Sequence, residues 1–205
     1  MENKSDIRWY ETVDSTNDEA RRQITALDNL SVIAAGCQTE GRGQGDHKWH
    51  SRPGENLTFS IVLKFGGEDG LAPLLARDSL LITQLVTHAI RRYLSGKGIE
   101  SYVKWPNDIY CGSLKICGIL IENVFKGRYV RSSIVGIGLN LNQTEFPDDL
   151  PNPVSVSKIT GLAYSPEDEL VELHKCLCES AEMTNTAEGR RYLDIDFNEN
   201  MVRLS

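Results

Sequence analysis

The sequence predicts an α+β fold: a mixed, mostly antiparallel sheet with helices packed on it. Three observations predict it. Short apolar stretches follow one another directly, so hairpin signals outnumber strand–helix–strand alternation. One long segment changes to three- and four-residue apolar spacing, the period of a helix. Near the C-terminal end, Ser165-Pro166-Glu167-Asp168 opens a further helix with proline at its first position.

Taken in order, Ile7 to Val13 reads as a strand. Thr16, with Glu19 three residues on, has the form of a capping box, so a helix is expected from near Thr16 to about Ala26. Residues 31–37 are rich in β-branched and small residues and read as a buried strand. A polar, glycine-rich stretch covers 38–55. In residues 57–65, Leu57, Phe59, Ile61 and Leu63 alternate onto one strand face. Residues 72–94 predict a long amphipathic helix that Gly96 and Gly98 end. Residues 102–105 form a strand stopped by Pro106. Residues 115–125 and 129–141 form a hairpin about Lys126-Gly127. Residues 154–159 are a short extended or helical piece. The helix opened by Ser165 is expected to be the last, with its pattern weakening after Asn185.

Composition excludes several classes. A chain of 205 residues with 40% hydrophobic content has room for one large domain, or one domain plus a small appendage. No apolar run nears the roughly 18 residues that span a bilayer. The first residues are polar and lack a signal-peptide core, so a cytoplasmic protein is expected, with no membrane partner. Net charge is −7 and no basic stripe is present, which argues against nucleic-acid binding. Five cysteines without a CxxC are expected to be reduced thiols.

Four constellations carry chemistry. Gly41-Arg42-Gly43-Gln44-Gly45-Asp46-His47-Lys48-Trp49 is neither a P-loop nor a dinucleotide fingerprint. Its glycines let backbone N–H groups approach an anion, Arg42 and Lys48 supply phosphate charge, and Trp49 offers an aromatic wall. A solvated surface loop is the plain alternative. Lys104-Trp105-Pro106-Asn107-Asp108 is an odd composition for a turn. Lys115 enters an apolar strand, which costs free energy unless the ammonium is paired, functional or reaching water. The glycines of Gly136-Ile137-Gly138-Leu139-Asn140 imply a close approach or a bulge. His47 and His50 lack a third ligand, so no protein-only metal site is expected.

Together with Ser15-Thr16-Asn17, Gln38 and Pro53-Gly54-x-Asn56-Leu57, the order and spacing of these pieces resemble the catalytic domain of biotin protein ligases, over about residues 7–185. The Gly-Arg-Gly loop, Lys-Trp-Pro-Asn-Asp and Lys115-x-x-Gly118-Ile119-Leu120-x-Glu122 are specific as a set. The resemblance implies the fold shared with class II aminoacyl-tRNA synthetases. It also implies ATP-dependent formation of biotinyl-5′-AMP and transfer of biotin to a lysine of a biotin carboxyl carrier protein domain, with Mg²⁺ accompanying ATP. Family members are often dimers, which leaves room for a homodimer.

Carried over by motif, Ser15, Thr16, Asn17, Gln38 and Gly41 hold the ureido end of biotin, and Gly118 leaves room for it beside Lys115. Arg42 clamps the carboxylate or α-phosphate, and Lys115 stabilises the adenylation transition state. Lys48, Trp49, Asn56, Lys104, Asn107 and Asn140 line the nucleotide site. Asp108 orients the carrier lysine.

Departures from the family pattern set alternatives. Many members carry basic residues where Gln44 to His47 stand, and Asp46 adds a negative charge. Residues 1–190 are expected to be the catalytic domain, with 191–205 a short tail. That tail is too short for the C-terminal barrel of most bacterial members. No N-terminal DNA-binding domain is expected. A lipoate or octanoate ligase or transferase of the same superfamily, or a non-catalytic biotin-binding homologue, is the alternative.

Overall fold

The computed structural model describes residues 6–45, 48–49, 51–148 and 150–202. In chain order the elements are β1 (Ile7–Val13), α1 (Thr16–Arg22), β2 (Val32–Gln38), β3 (Leu57–Lys64), β4 (Leu74–Leu75), α2 (Leu80–Gly96), β5 (Tyr102–Lys104), β6 (Asp108–Cys111), β7 (Leu114–Lys126), β8 (Tyr129–Leu139), α3 (Val156–Thr160), α4 (Pro166–Met183), α5 (Ala187–Glu199) and β9 (Met201–Val202). The chain divides into two compact units. The first holds residues 1–79 and 119–138, and the second 80–118 and 139–205, so β7 and β8 run through both.

In the first unit the strand order is β1-β2-β3-β8-β7. β1 pairs with β2 in parallel, and β2 pairs with β3 antiparallel. The α1 helix packs on β2 and β3, where Ala20 and Leu27 meet Ile33, Val62 and Ile134. β3 is buried along both faces, not one as the alternation predicts, because α1 covers one face of a strand that lies inside the sheet. The helix cap also differs. Ser15 is the N-cap, its Oγ accepting from the Asp18 N–H, and Thr16 is the first helical residue. The helix stops at Arg22, short of Ala26, because the turn that follows delivers Leu27 into the core.

In the second unit the order is β7-β6-β5-β9, antiparallel except for the parallel β5–β9 pair. The α2 helix packs against α4 and α5. It begins at Leu80 rather than in the low seventies. Leu74 and Leu75 pair with Val130 and Tyr129 in the first unit, a long-range pairing that overrides their helical spacing. α4 starts as predicted, with Ser165 capping and Pro166 in the first turn. It is not the last helix. Thr186 caps α5, which buries Leu193 and Phe197, so the boundary expected at residue 190 falls inside a helix.

The α2–α4 contact is polar as well as apolar. The Tyr93 hydroxyl donates to Glu169 at 2.5 Å, and Lys97 reaches Glu169 at 2.6 Å. Burial and the Glu169 hydrogen bond hold the Tyr93 hydroxyl protonated far above its ordinary range. Burial alone would lower the Lys97 pKa, but Glu169 and Glu172 outweigh it and raise it. Among the described residues, no helix is long and apolar enough to cross a membrane.

Candidate functional site

In the first unit the start of α1 meets β2 and β3 in a buried polar cluster. Thr16 and Asn17 are each 3% exposed. The Gln38 Oε1 accepts from the Thr16 N–H at 2.7 Å and from its hydroxyl at 3.1 Å. The Ser60 hydroxyl lies 2.8 Å from Thr16 Oγ1 and 2.5 Å from Asn17 Oδ1, and its single proton serves one of them. The Asn17 Nδ2 donates to Glu122 at 2.7 Å. Four neutral side chains thus bring donors and acceptors to one place.

Two glycines of β8 let neighbouring side chains come close to its backbone. A Cβ on Gly136 would stand 2.4 Å from Asn17 Oδ1, and one on Gly138 would stand 2.2 Å from the Trp49 ring. The spacing Gly136-x-Gly138 therefore reflects two close approaches on one strand face, not a bulge. The Trp49 indole N–H is buried without a hydrogen-bond partner among the described residues.

The loop closes on itself by a Trp49 N–H bond to the Gly41 carbonyl at 3.0 Å and an isolated bridge between Arg42 and Lys48. Arg42 is not a free cation. Its Nη2 reaches Asp18 at 3.0 Å and both Glu122 oxygens at 3.1 and 3.3 Å. Lys48 is exposed, and Asn56 is buried just before β3. Asp46, His47 and His50, and the expectations that rest on them, lie outside the described residues.

In the second unit the Lys115 ammonium pairs with Asp108 at 2.8 Å. The strand geometry explains this meeting. Asp108 pairs with Gly118 and Ile109 with Cys117, but Tyr110 pairs with Lys115, so Ile116 is an extra residue at a bulge. Lys115 and Gly118 are three positions apart, an odd number that normally puts two residues on opposite faces of a strand. The bulge shifts the alternation by one and brings Lys115 to the Asp108 side. Ile116 and Cys117 are then both buried.

The Lys115 backbone is pinned as well. Its N–H donates to Asn152 at 2.8 Å, and its carbonyl accepts from Val154 at 2.9 Å. Asn140, expected at the nucleotide, turns its Nδ2 to the carbonyls of Val154 at 3.1 Å and Lys115 at 3.5 Å. It holds the strand end. Lys104 bonds the Tyr110 hydroxyl at 3.3 Å and lies over that ring, 4.9 Å from its centroid. Asn107 is half-buried before β6, and Gly118 sits opposite Asp108.

None of the five cysteines is in a disulfide. Burial pushes the Cys111 thiol up to about 11, and Cys117 higher still, so neither is a thiolate nucleophile near neutral pH.

Ser60, Asp18 and Glu122 were not assigned roles from sequence. A serine within Leu57-Thr58-Phe59-Ser60-Ile61 is the one signal that could have marked Ser60, since its strand is otherwise apolar at its centre.

Three comparisons bear on this geometry. The chain matches the profile of the biotin/lipoate A/B protein ligase family over residues 9–140. It is 36% identical over 134 residues to the bifunctional ligase/repressor BirA of Bacillus spizizenii, covering 64% of this chain and 39% of that protein. It is 32% identical over 162 residues to the biotin–[acetyl-CoA-carboxylase] ligase of Paracoccus denitrificans, covering 77% of this chain and 65% of that one. The chain thus spans well under half the length of BirA. Its structure resembles the biotin protein ligase of Aquifex aeolicus solved with biotin and ATP, with a TM-score of 0.79 and 25% identity. That likeness covers 96% of this chain and 78% of the other. With the family match spanning residues 9–140, well over half of its length, the chain belongs to the biotin/lipoate A/B protein ligase family.

Proposed function

We propose that this chain is an ATP-dependent biotin–protein ligase. The observation that carries the reading is the cluster of buried Thr16, Asn17 and Ser60 with half-buried Gln38, whose donors and acceptors match a ureido group. The names of the Bacillus and Paracoccus relatives and the biotin and ATP bound to the Aquifex protein support it.

The reaction has two steps. An oxygen of the biotin carboxylate attacks the α-phosphorus of ATP and pyrophosphate leaves, giving biotinyl-5′-AMP. The ε-amine of a lysine on a carrier domain then attacks the acyl carbon and AMP leaves. Both steps gather negative charge on oxygens, so fixed cations contribute most. Lys115, held by Asp108 and by its pinned backbone, is the preorganised cation for the first step. Arg42 clamps the carboxylate or phosphate. Asp108 fixes Lys115 and orients the carrier lysine.

Ser15 shapes the ureido end by capping α1, and Gly41 and Gly118 give biotin room. Lys48, Trp49, Asn56, Lys104 and Asn107 face the nucleotide, with Asn140 supporting Lys115. The Trp49 indole N–H, which has no partner among the described residues, favours a ligand acceptor, since a buried donor left unmatched costs free energy. Mg²⁺ would accompany the ATP phosphates and offset their charge.

The family also includes lipoate ligases, so the test compares the two acids. Thermal melts with biotin and with lipoate should show stabilisation by biotin. Incubation with ATP, Mg²⁺, biotin and a biotin carrier domain should add about 226 Da, the biotinyl increment of one acylated amine. Stabilisation by lipoate alone, or no mass gain, overturns the reading.

A further inference from the structure

We propose that Glu122 is a positioning residue that, together with Asp18, restrains the Arg42 guanidinium until an anionic substrate displaces the two carboxylates. The proposal rests on the ligase reading above. Arg42 Nη2 carries two protons, yet three carboxylate oxygens lie within 3.3 Å of it: Asp18 Oδ1 and both oxygens of Glu122. No proton on Nη2 is left for a ligand. Arg21 sits on the same two acids, with its Nη2 at 2.7 Å from Glu122 and its Nη1 on Asp18. Two cations and two carboxylates make a formally neutral group. It offers an incoming anion little attraction until Arg42 is released.

Glu122 does a second thing. Its Oε2 accepts from the Asn17 Nδ2 at 2.7 Å, while Asn17 Oδ1 faces the Ser60 hydroxyl at 2.5 Å. The Asn17 amide is thereby fixed in one orientation, against the Gly136 backbone that has no room for a Cβ. One carboxylate therefore sets both the residue that reads the uncharged end of the substrate and the arginine that reads its charged end. The ion pairs are displaceable. The side chains of Arg42, Asp18 and Glu122 are 40%, 32% and 27% exposed, and pairs this open shift an equilibrium only a few-fold.

The test separates the charged from the neutral end. Biotin and biotinol, which has an alcohol in place of the carboxylate, are titrated calorimetrically into the purified chain and into Asp18→Asn, Glu122→Gln and Glu122→Ala. Asp18→Asn should tighten biotin about three- to fivefold and leave biotinol unchanged. Glu122→Gln should do the same, because its amide oxygen still accepts from Asn17. Glu122→Ala should weaken both ligands about tenfold, because Asn17 loses its acceptor. Should Glu122→Ala fail to fold, Asp18→Asn, on the exposed side of α1, still decides.

An unchanged affinity for biotin in Asp18→Asn and Glu122→Gln, or equal changes for biotin and biotinol, overturns the restraint alone. Failure of the unaltered chain to bind either ligand overturns the restraint and the ligase reading together.

Discussion

Lys115 shows how one inserted residue decides which way a charge points. In a regular strand it would face away from Asp108, and the bulge at Ile116 turns it back. The ion pair at 2.8 Å and the two backbone bonds at Asn152 and Val154 then hold it without a ligand. A cation fixed before the reaction stabilises charge that appears only in the transition state. Lys115→Ala should therefore slow pyrophosphate release about 10²- to 10³-fold in single turnover and leave the biotin Kd nearly unchanged. Equal losses in both would make Lys115 a binding residue. Gly138 gives a second prediction at this scale. A methyl there meets the body of the Trp49 ring, which has no flexible end to move aside. Gly138→Ala should displace the indole, change the tryptophan emission and weaken ATP about tenfold or more, while biotin binding through α1 persists. The lysine and the glycines were legible because a charge in an apolar strand and glycines in a strand both break local rules. Glu122 and Asp18 were not, since their partnership with Arg42 joins positions 80 and 24 residues apart in the sequence.

At the scale of elements, local signals prevailed where they had no competitor. The strands about Ile7–Val13 and Tyr129–Leu139 and the cap at Ser165 stand where period and capping chemistry put them. Leu74-Leu75 fits a helix by spacing and lies in a strand because β8 supplies a pairing edge. β6 has four residues, too few for a period to show, and is made a strand by neighbours on both sides. α5 buries only Leu193 and Phe197, so its apolar stripe is faint. Polar contacts complete its attachment. Asp196 accepts from Arg91 at 2.9 Å and meets His88 at 3.1 Å, both on α2. Burial alone would raise the Asp196 pKa; the His88 hydrogen bond and the Arg91 charge override it and lower it. A lowered carboxylate pKa stabilises the fold above the ordinary value of about 3.9 and loses that contribution as pH falls through the folded-state value. Asp196→Asn should thus cost about 1–3 kcal/mol at pH 7, and the gap to the unaltered chain should close below about pH 4 in urea melts. A gap constant with pH would show that the carboxylate charge is not what ties α5 to α2.

For the whole molecule, the reach of the motifs and the reach of the fold differ. The family profile ends at residue 140, yet the likeness to the Aquifex ligase covers 96% of the chain. The α4 and α5 helices therefore belong to the shared fold although they carry none of the chemistry-bearing motifs. Their work is to close the second unit over α2, which presents Leu81, Ile82, Leu85, Val86, Ala89 and Ile90 as buried residues. This gives residues 191–205 a different meaning from a tail. A chain ending at residue 190 loses Leu193, Phe197 and the Asp196 contacts together. Phe197→Ala alone should cost about 3–5 kcal/mol, a large share of the roughly 5–15 kcal/mol that holds a domain folded. For a chain of this size that corresponds to a fall of about 6–20 °C in Tm, and the truncated chain should fall further or fail to melt cooperatively. Circular dichroism melts of the two variants beside the full chain check this. A truncated chain that melts with the full chain would mean that α5 is dispensable, and that Lys115 and Asp108 are held by β5, β6 and β7 alone.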